Sequence, residues 1–196
     1  ALMQGLYNHT YFGSALVFSQ SIEVTGVHGL GREYWDNPAF EGLLGLLVSP
    51  SRGLFVYSPF FAFLFWRPVE NFRSWPTPVK YFLLASALLV LILSRYYGWY
   101  GGWTFGYRMI VDCCPILCLA LLPVLSSLAR SKVALVAFIL LSLVSLSIHM
   151  VGAYCYEVLS WDANPNIDFH TERLWSIKDS QLVYWFTHLE IRQVNI

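Results

Sequence analysis

Several long apolar runs constrain the fold of this chain more than any other feature of its sequence. They cover residues 81–94, 109–128 and 133–156 and are rich in Leu, Val, Ile and Ala. A helix needs about 20 mostly apolar residues to cross the hydrocarbon core of a bilayer, and a soluble core does not need several uniform runs of this kind. Only 12% of the 196 residues are charged, against about 25% in soluble domains. These features predict an integral membrane protein.

The predicted fold class is all-α, a multi-pass transmembrane helical bundle of about four spans with outer-face loops and a C-terminal surface tail. The remaining span is a shorter stretch, residues 54–66, and the sequence Ser-Pro-Ser-Arg-Gly at residues 49–53 precedes it. Proline removes a helical hydrogen-bond donor and glycine weakens a helix, so we expect a short helix, a break and then the spanning helix. An arginine at membrane depth is costly unless it faces protein or water, so Arg52 should point into protein or toward an outer cavity.

The bundle is expected to cover residues 43–156, between an outer-face polar and aromatic segment, residues 1–42, and an outer-face C-terminal tail, residues 157–196. Residues 7–13 should be extended or turning, whereas a short amphipathic helix should follow the Asn-Pro pair at 37–38, because proline suits a first helical turn. The tail should form a short helix on the membrane surface. The sequence starts without an initiator Met, so we expect it to be the C-terminal part of something longer.

The distribution of basic residues predicts the orientation of the bundle. Residues 67–80 carry three basic side chains, and residues 130–132 carry two. Cytoplasmic loops hold the excess of Lys and Arg, so both segments are placed in the cytoplasm. The opening segment, the break at 49–53, the loop at 99–108 and the tail then share the outer face, where we expect them to converge and wall a cavity.

Residues 99–108, which we call the aromatic-glycine loop, have the sequence Trp-Tyr-Gly-Gly-Trp-Thr-Phe-Gly-Tyr-Arg. Its glycines allow backbone conformations that a Cβ forbids and let a ligand approach the main chain. Its rings can stack on a sugar or a prenyl chain, and a guanidinium fork matches phosphate oxygens. We therefore expect a lipid-phosphate or substrate site. Its candidate residues are Arg52, Arg108, Gly101, Gly102, Gly106, Trp99, Trp103 and Tyr107.

The same loop has an alternative interpretation as an aromatic belt at the membrane–water interface, with its arginines snorkelling to the headgroups. Asp112 is expected to form an i,i+4 ion pair with Arg108, and its alternative is a role in proton transfer. His149 is expected to be a packed side chain of its helix. The four cysteines lie in apolar runs without CxxC spacing, so we expect no metal site. A formal net charge of zero gives no indication of a nucleic-acid partner.

The sequence Ser-Pro-Ser-Arg-Gly-Leu-Phe-Val-Tyr-Ser-Pro at residues 49–59, followed by Trp-x-Gly-Gly-Trp-x-x-Gly-x-Arg at 99–108, resembles the C-terminal half of bacterial multi-pass glycosyltransferases of the GT-C class. The resemblance is to the dolichyl-phosphate-mannose-type and aminoarabinose-transferase-type families, and it extends over nearly the whole chain. It implies transfer of a sugar from a polyprenyl-phosphate donor to an acceptor on the outer face of the bacterial inner membrane. In such enzymes the catalytic carboxylate usually lies in a first outer loop that this sequence does not include, so the resemblance assigns no catalytic residue and no cofactor here.

The expected partners are membrane lipid and a polyprenyl-phosphate sugar. The alternative function is a non-catalytic multi-pass membrane subunit, which would keep the helical scaffold and pack against other membrane subunits. A transporter or channel is less favoured, because the sequence has no internal repeat and few membrane-embedded charges.

Single cysteines, introduced into a variant that lacks the four native ones, can test the predicted orientation. A membrane-impermeant maleimide added from outside should label positions in the aromatic-glycine loop and the tail. It should not label residues 129–132, because the basic loops are predicted to face the cytoplasm. Labelling of residues 129–132 from outside would show that the bundle has the opposite orientation.

Overall fold

The computed structural model describes residues 2–17, 35–157 and 160–188, and this described part is helical and contains no β-strand. Residues 18–34 of the predicted opening segment and residues 189–196 of the predicted tail lie outside it. The α-helices are α1 Leu2–Phe12, α2 Ala39–Val48, α3 Leu54–Tyr57, α4 Pro68–Ser74, α5 Thr77–Ser94, α6 Cys114–Leu128, α7 Lys132–Tyr154 and α8 Gln181–Thr187. Tighter 3-10 segments form at Pro59–Phe65, Arg108–Cys113 and Thr171–Trp175. The chain divides into two compact units, residues 1–36 and residues 37–196.

Three apolar helices of the second unit are long enough to cross a membrane: α5, α6 together with the 3-10 turn before it, and α7. They have 18, 21 and 23 residues, in agreement with three of the predicted spans. Within the chain, only 6%, 28% and 17% of their most apolar windows are buried. The helices therefore leave broad apolar faces for membrane lipid, as expected for a membrane protein.

The fourth predicted span, residues 54–66, is not confirmed, because α3 has only four residues and a 3-10 segment follows it. Ser58 leaves the helical conformation, with φ −132° and ψ 65°. Pro59, which has no N–H to donate, then starts the 3-10 segment. The segment packs on α6 and α7, and the Phe63 ring lies 5.4 Å from the Phe138 ring of α7, centroid to centroid. This stretch therefore contributes to the interior of the bundle.

The expectation of an extended or turning segment at residues 7–13 is wrong, because helix α1 runs through most of it. The rings of Tyr7 and Tyr11 lie one helical turn apart, with centroids 4.6 Å from each other, and such i,i+4 pairs support a helix. Gly13 has a φ of +75° and donates its N–H to the His9 carbonyl at 3.1 Å. This glycine ends the helix, since the left-handed conformation is the usual helix C-terminal stop.

The predicted break at residues 49–53 is confirmed. Helix α2 ends at Val48, and Ser49 after it is extended, with a ψ of 135°. The N–H of Gly53 then donates to the Ser49 carbonyl at 2.8 Å and closes a turn before α3 begins. Arg52, in this turn, is 1% exposed, so its side chain points into the protein, as predicted.

Helix α2 packs closely against α5 and the loop that follows α5, because two of its residues have no side chain. A Cβ added at Gly42 would lie 2.0 Å from the carbonyl oxygen of Ser94, and one at Gly45 would lie 2.3 Å from the Trp99 ring. The Asn37 side chain donates to the same Ser94 oxygen at 2.8 Å. The contact therefore depends on the small size of both glycines.

Two glycine-to-alanine substitutions test this packing. Gly42→Ala should lower the free energy of unfolding by about 2–3 kcal/mol, because the obstructing Ser94 oxygen belongs to the backbone and cannot rotate away. Gly5→Ala in α1 is the matched control. Its Cβ would make an ordinary 3.7 Å contact with Ala15, so the change should be neutral or stabilise by up to about 1 kcal/mol. Unfolding in a denaturing detergent measures both, and equal effects would contradict the close approach.

Candidate functional site

A buried hydrogen-bond network joins three segments of the second unit that are far apart in the sequence. We call it the Arg52 network, and it consists of Arg52, Tyr57, Asp162 and Gln181, each of which is at most 1% exposed. Arg52 belongs to the break after α2, whereas Asp162 and Gln181 belong to the tail. The network holds an ion pair inside the protein, so its geometry must compensate for the lost hydration of both charges.

The Arg52 guanidinium donates all five of its N–H groups to protein oxygens. Its Nε donates to the Tyr100 carbonyl at 2.9 Å. Its Nη1 donates to the Ser51 carbonyl at 3.0 Å and to Gln181 Oε1 at 2.6 Å. Its Nη2 donates to the Gly102 carbonyl at 3.2 Å and to Asp162 Oδ1 at 2.6 Å. The side chain therefore has no N–H left for a phosphate.

Asp162 balances the charge of Arg52. Besides the Arg52 contact, its Oδ2 accepts hydrogen bonds from the Tyr156 hydroxyl at 2.8 Å and from the Gln181 amide at 3.2 Å. Burial raises the pKa of the Asp162 carboxyl, and the adjacent Arg52 and Tyr156 act against that rise. The carboxylate is thus stabilised by its partners in a place where an isolated charge would be costly.

Gln181, the first residue of α8, connects the tail to the aromatic-glycine loop. Its Oε1 accepts from the Gly106 N–H at 3.1 Å and lies 3.0 Å from the Tyr57 hydroxyl, in addition to the Arg52 contact. Its Nε2 donates to the Thr104 carbonyl at 2.8 Å. One side-chain amide therefore satisfies main-chain groups at two points of the loop.

The backbone of the aromatic-glycine loop takes a shape that depends on its glycines. Gly101, Gly102 and Gly106 have φ values of +83°, +67° and +70°, a region that side chains with a Cβ rarely adopt. Asp168 of the tail holds the other side of the loop. Its carboxylate accepts from the Tyr100 hydroxyl at 2.7 Å and from the Trp103 indole N–H at 3.1 Å.

The break is also tied directly to the tail. Ser49 Oγ donates to the Leu174 carbonyl at 2.7 Å, and the Gln181 N–H donates to Ser51 Oγ at 3.1 Å. The predicted convergence of break, loop and tail is thus confirmed, whereas the place of the opening segment in it stays a prediction. Fully buried Trp161 lies beside the network, with the Arg52 guanidinium 5.5 Å from its ring. The expected cavity, which the opening segment would help to wall, stays a prediction.

Three of the eight predicted site residues lie inside this packed region. Arg52 is saturated by protein acceptors, Trp99 is 3% exposed and contacts Gly45, and the N–H of Gly106 is bonded to Gln181. We assign structural roles to these three residues, because a ligand would have to displace protein contacts to reach them. The ligand contacts predicted for these residues stay a prediction.

The other five predicted site residues are more accessible to solvent than these three. Arg108 is exposed, and within the described residues its guanidinium has no hydrogen bond or ion pair. A Cβ built on Gly102 meets no atom within 4 Å, so the loop backbone is open there. Gly101, Trp103 and Tyr107 are half-buried. In the part of the chain that the structure describes, the loop therefore has an accessible surface that includes the Arg108 guanidinium.

The expected ion pair between Arg108 and Asp112 is not formed in the described structure. Residues Arg108–Cys113 form a 3-10 segment, in which residues three apart share a face. The i,i+4 spacing that would align the two charges in an α-helix therefore does not apply.

A second polar cluster, which we call the Tyr107 cluster, consists of Ser58, Tyr107 and His149. The Ser58 and Tyr107 hydroxyl oxygens are 2.7 Å apart, and His149 Nε2 lies 3.2 Å from the former and 3.3 Å from the latter. Burial raises the pKa of Tyr107 to about 12, although the Ser58 hydrogen bond lowers it, so the phenol stays neutral at physiological pH. His149 is exposed on α7, so the expectation of a packed side chain is wrong.

Sequence reasoning did not identify Asp162, Gln181, Asp168 or Ser58. One signal was available, because a buried arginine needs a buried carboxylate partner. The spacing could not show which acid supplies it, since Asp162 lies 110 positions from Arg52 in the sequence. No role followed from the sequence around Asp168 or Gln181, and only the folded tail brings the two side chains to the loop.

Comparisons with known proteins give no further assignment. No protein-family model, no curated protein and no solved structure matches this chain.

Replacing Arg52 tests how far the second unit depends on the network. Arg52→Met should lower the free energy of unfolding by about 3–5 kcal/mol, because it leaves Asp162 buried without its charge partner. Arg67→Met is the matched control, since its ion pair with Glu70 is formed by side chains that are 49% and 66% exposed. An exposed pair contributes about 0–1 kcal/mol. If both variants unfold alike, the network is not a main source of stability.

Proposed function

We propose that this chain is the membrane part of a glycosyltransferase that moves a sugar from a polyprenyl-phosphate donor to an acceptor on the outer face of the membrane. The observation that supports the proposal best is the contrast between two arginines near the aromatic-glycine loop. Arg52 donates to two carbonyls of the loop and uses its other donors within the break and the tail, whereas Arg108 is exposed and unpaired within the described residues. A rigid support with a free cation beside it is suited to binding a phosphate.

In this proposal Arg108 binds the donor phosphate through a forked pair of hydrogen bonds. Gly102 lets the ligand approach the main chain, because nothing occupies the space that its Cβ would take. The Trp103 ring packs against the sugar or the prenyl chain, and its hydrogen bond to Asp168 holds it in place. Tyr107, adjacent to Arg108 and hydrogen-bonded to Ser58, is a further neutral hydroxyl near the phosphate.

The chemical role of such a site is stabilisation of the leaving group. In sugar transfer, the bond between the anomeric carbon and the phosphate oxygen breaks, and the acceptor oxygen bonds to that carbon while its proton goes to a base. Negative charge then grows on the polyprenyl phosphate, and a guanidinium fixed beside it lowers the barrier. The protein lies in the bacterial inner membrane, with the loop and the tail outside.

A second candidate function is a non-catalytic membrane subunit that packs against partners. The saturated Arg52 network favours it, because protein acceptors occupy the guanidinium and the neighbouring Tyr57 and Trp161 are fully buried. The broad apolar faces of α5 and α7, whose windows are 6% and 17% buried, would then contact other subunits as well as lipid. Under this alternative Arg108 serves only as an interfacial anchor.

Binding of a polyprenyl-phosphate sugar to the purified protein in lipid nanodiscs separates the two functions. Arg108→Lys should weaken binding, because the charge stays but the fork is lost, and Arg108→Ala should weaken it about 10- to 100-fold, equivalent to about 1.4–2.8 kcal/mol. Arg130→Ala, which removes an exposed arginine between α6 and α7, is the control and should leave the affinity unchanged. Equal affinity in all four proteins would remove Arg108 from any ligand site and favour the subunit.

A further inference from the structure

A lateral groove of about 640 Å³ lies at the end of the bundle where α5 begins. Leu64, Phe65 and Phe72 form one side, and Leu83, Ala87 and Leu117 of α5 and α6 contribute the other. Every lining residue is apolar except Arg73. The one other polar atom in the lining side chains, the indole N–H of Trp75, is occupied by the Ala120 carbonyl at 2.8 Å. The volume falls in the range of small-molecule and lipid sites, about 300–1,000 Å³.

The groove extends along the helices to the depth of one membrane leaflet. Ala87 lies ten residues after Thr77, where α5 starts, which corresponds to about 15 Å at a rise of about 1.5 Å per residue. Leu117 lies eleven residues before Leu128, where α6 ends at the same side of the bundle, a comparable depth. The hydrocarbon core of a bilayer is about 30 Å thick, so the groove reaches roughly from the interface to the midplane.

Two cations lie at the interfacial end of this groove. Arg73 is exposed, and within the described residues its guanidinium has no hydrogen bond or ion pair. The Lys80 ammonium lies 4.9 Å from the centroid of the Phe72 ring, one of the groove walls. Glu70, the one acid between residues 67 and 80, is already paired with Arg67 at 3.2 Å. The rim therefore carries an excess of positive charge.

We propose that this groove binds one anionic glycerophospholipid, with an acyl chain along Phe72, Leu83 and Leu117 and the phosphate on Arg73. An acyl chain matches both the apolar lining and the one-leaflet depth, and the two rim cations match a negative headgroup. The headgroup contact is independent of Arg108, because Arg73 precedes the start of α5 whereas the aromatic-glycine loop follows its end. A lipid held here would fill the space between the 3-10 segment Pro59–Phe65, helix α4 and the long helices α5 and α6.

Native mass spectrometry of the purified protein tests this assignment with phosphatidylglycerol and phosphatidylcholine that carry the same acyl chains. We expect preferential retention of phosphatidylglycerol. Arg73→Ala should lower that retention about fivefold, the factor that one cation near an anionic lipid surface contributes, and leave phosphatidylcholine unchanged. Ala87→Trp should lower retention of both lipids because it fills the groove, and exposed Ala87 has space for the change without disturbing the core. Arg130→Ala is the control, and it should leave the retention of both lipids unchanged.

Three outcomes would overturn the proposal. The first is equal retention of phosphatidylglycerol by the wild type and by Arg73→Ala. The second is an effect of Arg73→Ala on an added polyprenyl phosphate but not on phosphatidylglycerol, which would assign the groove to the donor lipid. The third is a dimer that Ala87→Trp dissociates, which would assign the groove to a second copy of the chain. Because Arg108 is unchanged in these variants, none of these outcomes depends on the proposed glycosyltransferase activity.

Discussion

The second unit of this protein depends on one buried charge, the guanidinium of Arg52. A cation that is 1% exposed is tolerated only when a counter-charge and a full set of acceptors surround it. Asp162 supplies the charge, and four further oxygens complete the set. Because these acceptors come from the break, the aromatic-glycine loop and the tail, satisfying one side chain fixes the positions of three segments.

This constraint explains why the loop can keep an unusual backbone. Three glycines with positive φ would leave an unsupported loop conformationally free, at a considerable entropic cost of ordering. Here Arg52 donates to two carbonyls of the loop, and Gln181 accepts from one of its backbone amides. Asp168 accepts from two of its aromatic side chains. The support is polar and buried, while Arg108 at the end of the loop stays accessible. A separation of this kind, with some residues for rigidity and others for contact, is what a preorganised binding surface requires.

The two ends of the bundle present different chemistry to the membrane. One end carries the rigid loop with its aromatic rings and Arg108, and the other carries a groove that combines apolar walls with Arg73 and Lys80. Both arginines are exposed, whereas Arg52 and Arg173 are buried and bonded to Asp162 and Asp179. Arg52 and Arg173 therefore stabilise the structure, whereas Arg73 and Arg108, which have no ion pair within the described residues, are the candidates for contact with lipid phosphates.

The sequence by itself determined the class of the protein and the positions of its long helices. Apolar length and the Pro-Gly interruption at 49–53 act locally, so α5, α6, α7 and the break could be predicted from neighbouring residues alone. Local signals gave two wrong predictions. Residues before Gly13 were expected to be extended or turning but form a helix, and the apolar run around Pro59 was expected to span the membrane but forms a 3-10 segment. Tertiary structure alone decided which acid pairs with Arg52, because the ion pair spans 110 positions and its energy depends on distance and burial. It decided in the same way that Trp99 is buried and that Arg108 is exposed, since exposure is a property of the packed chain and not of any single segment.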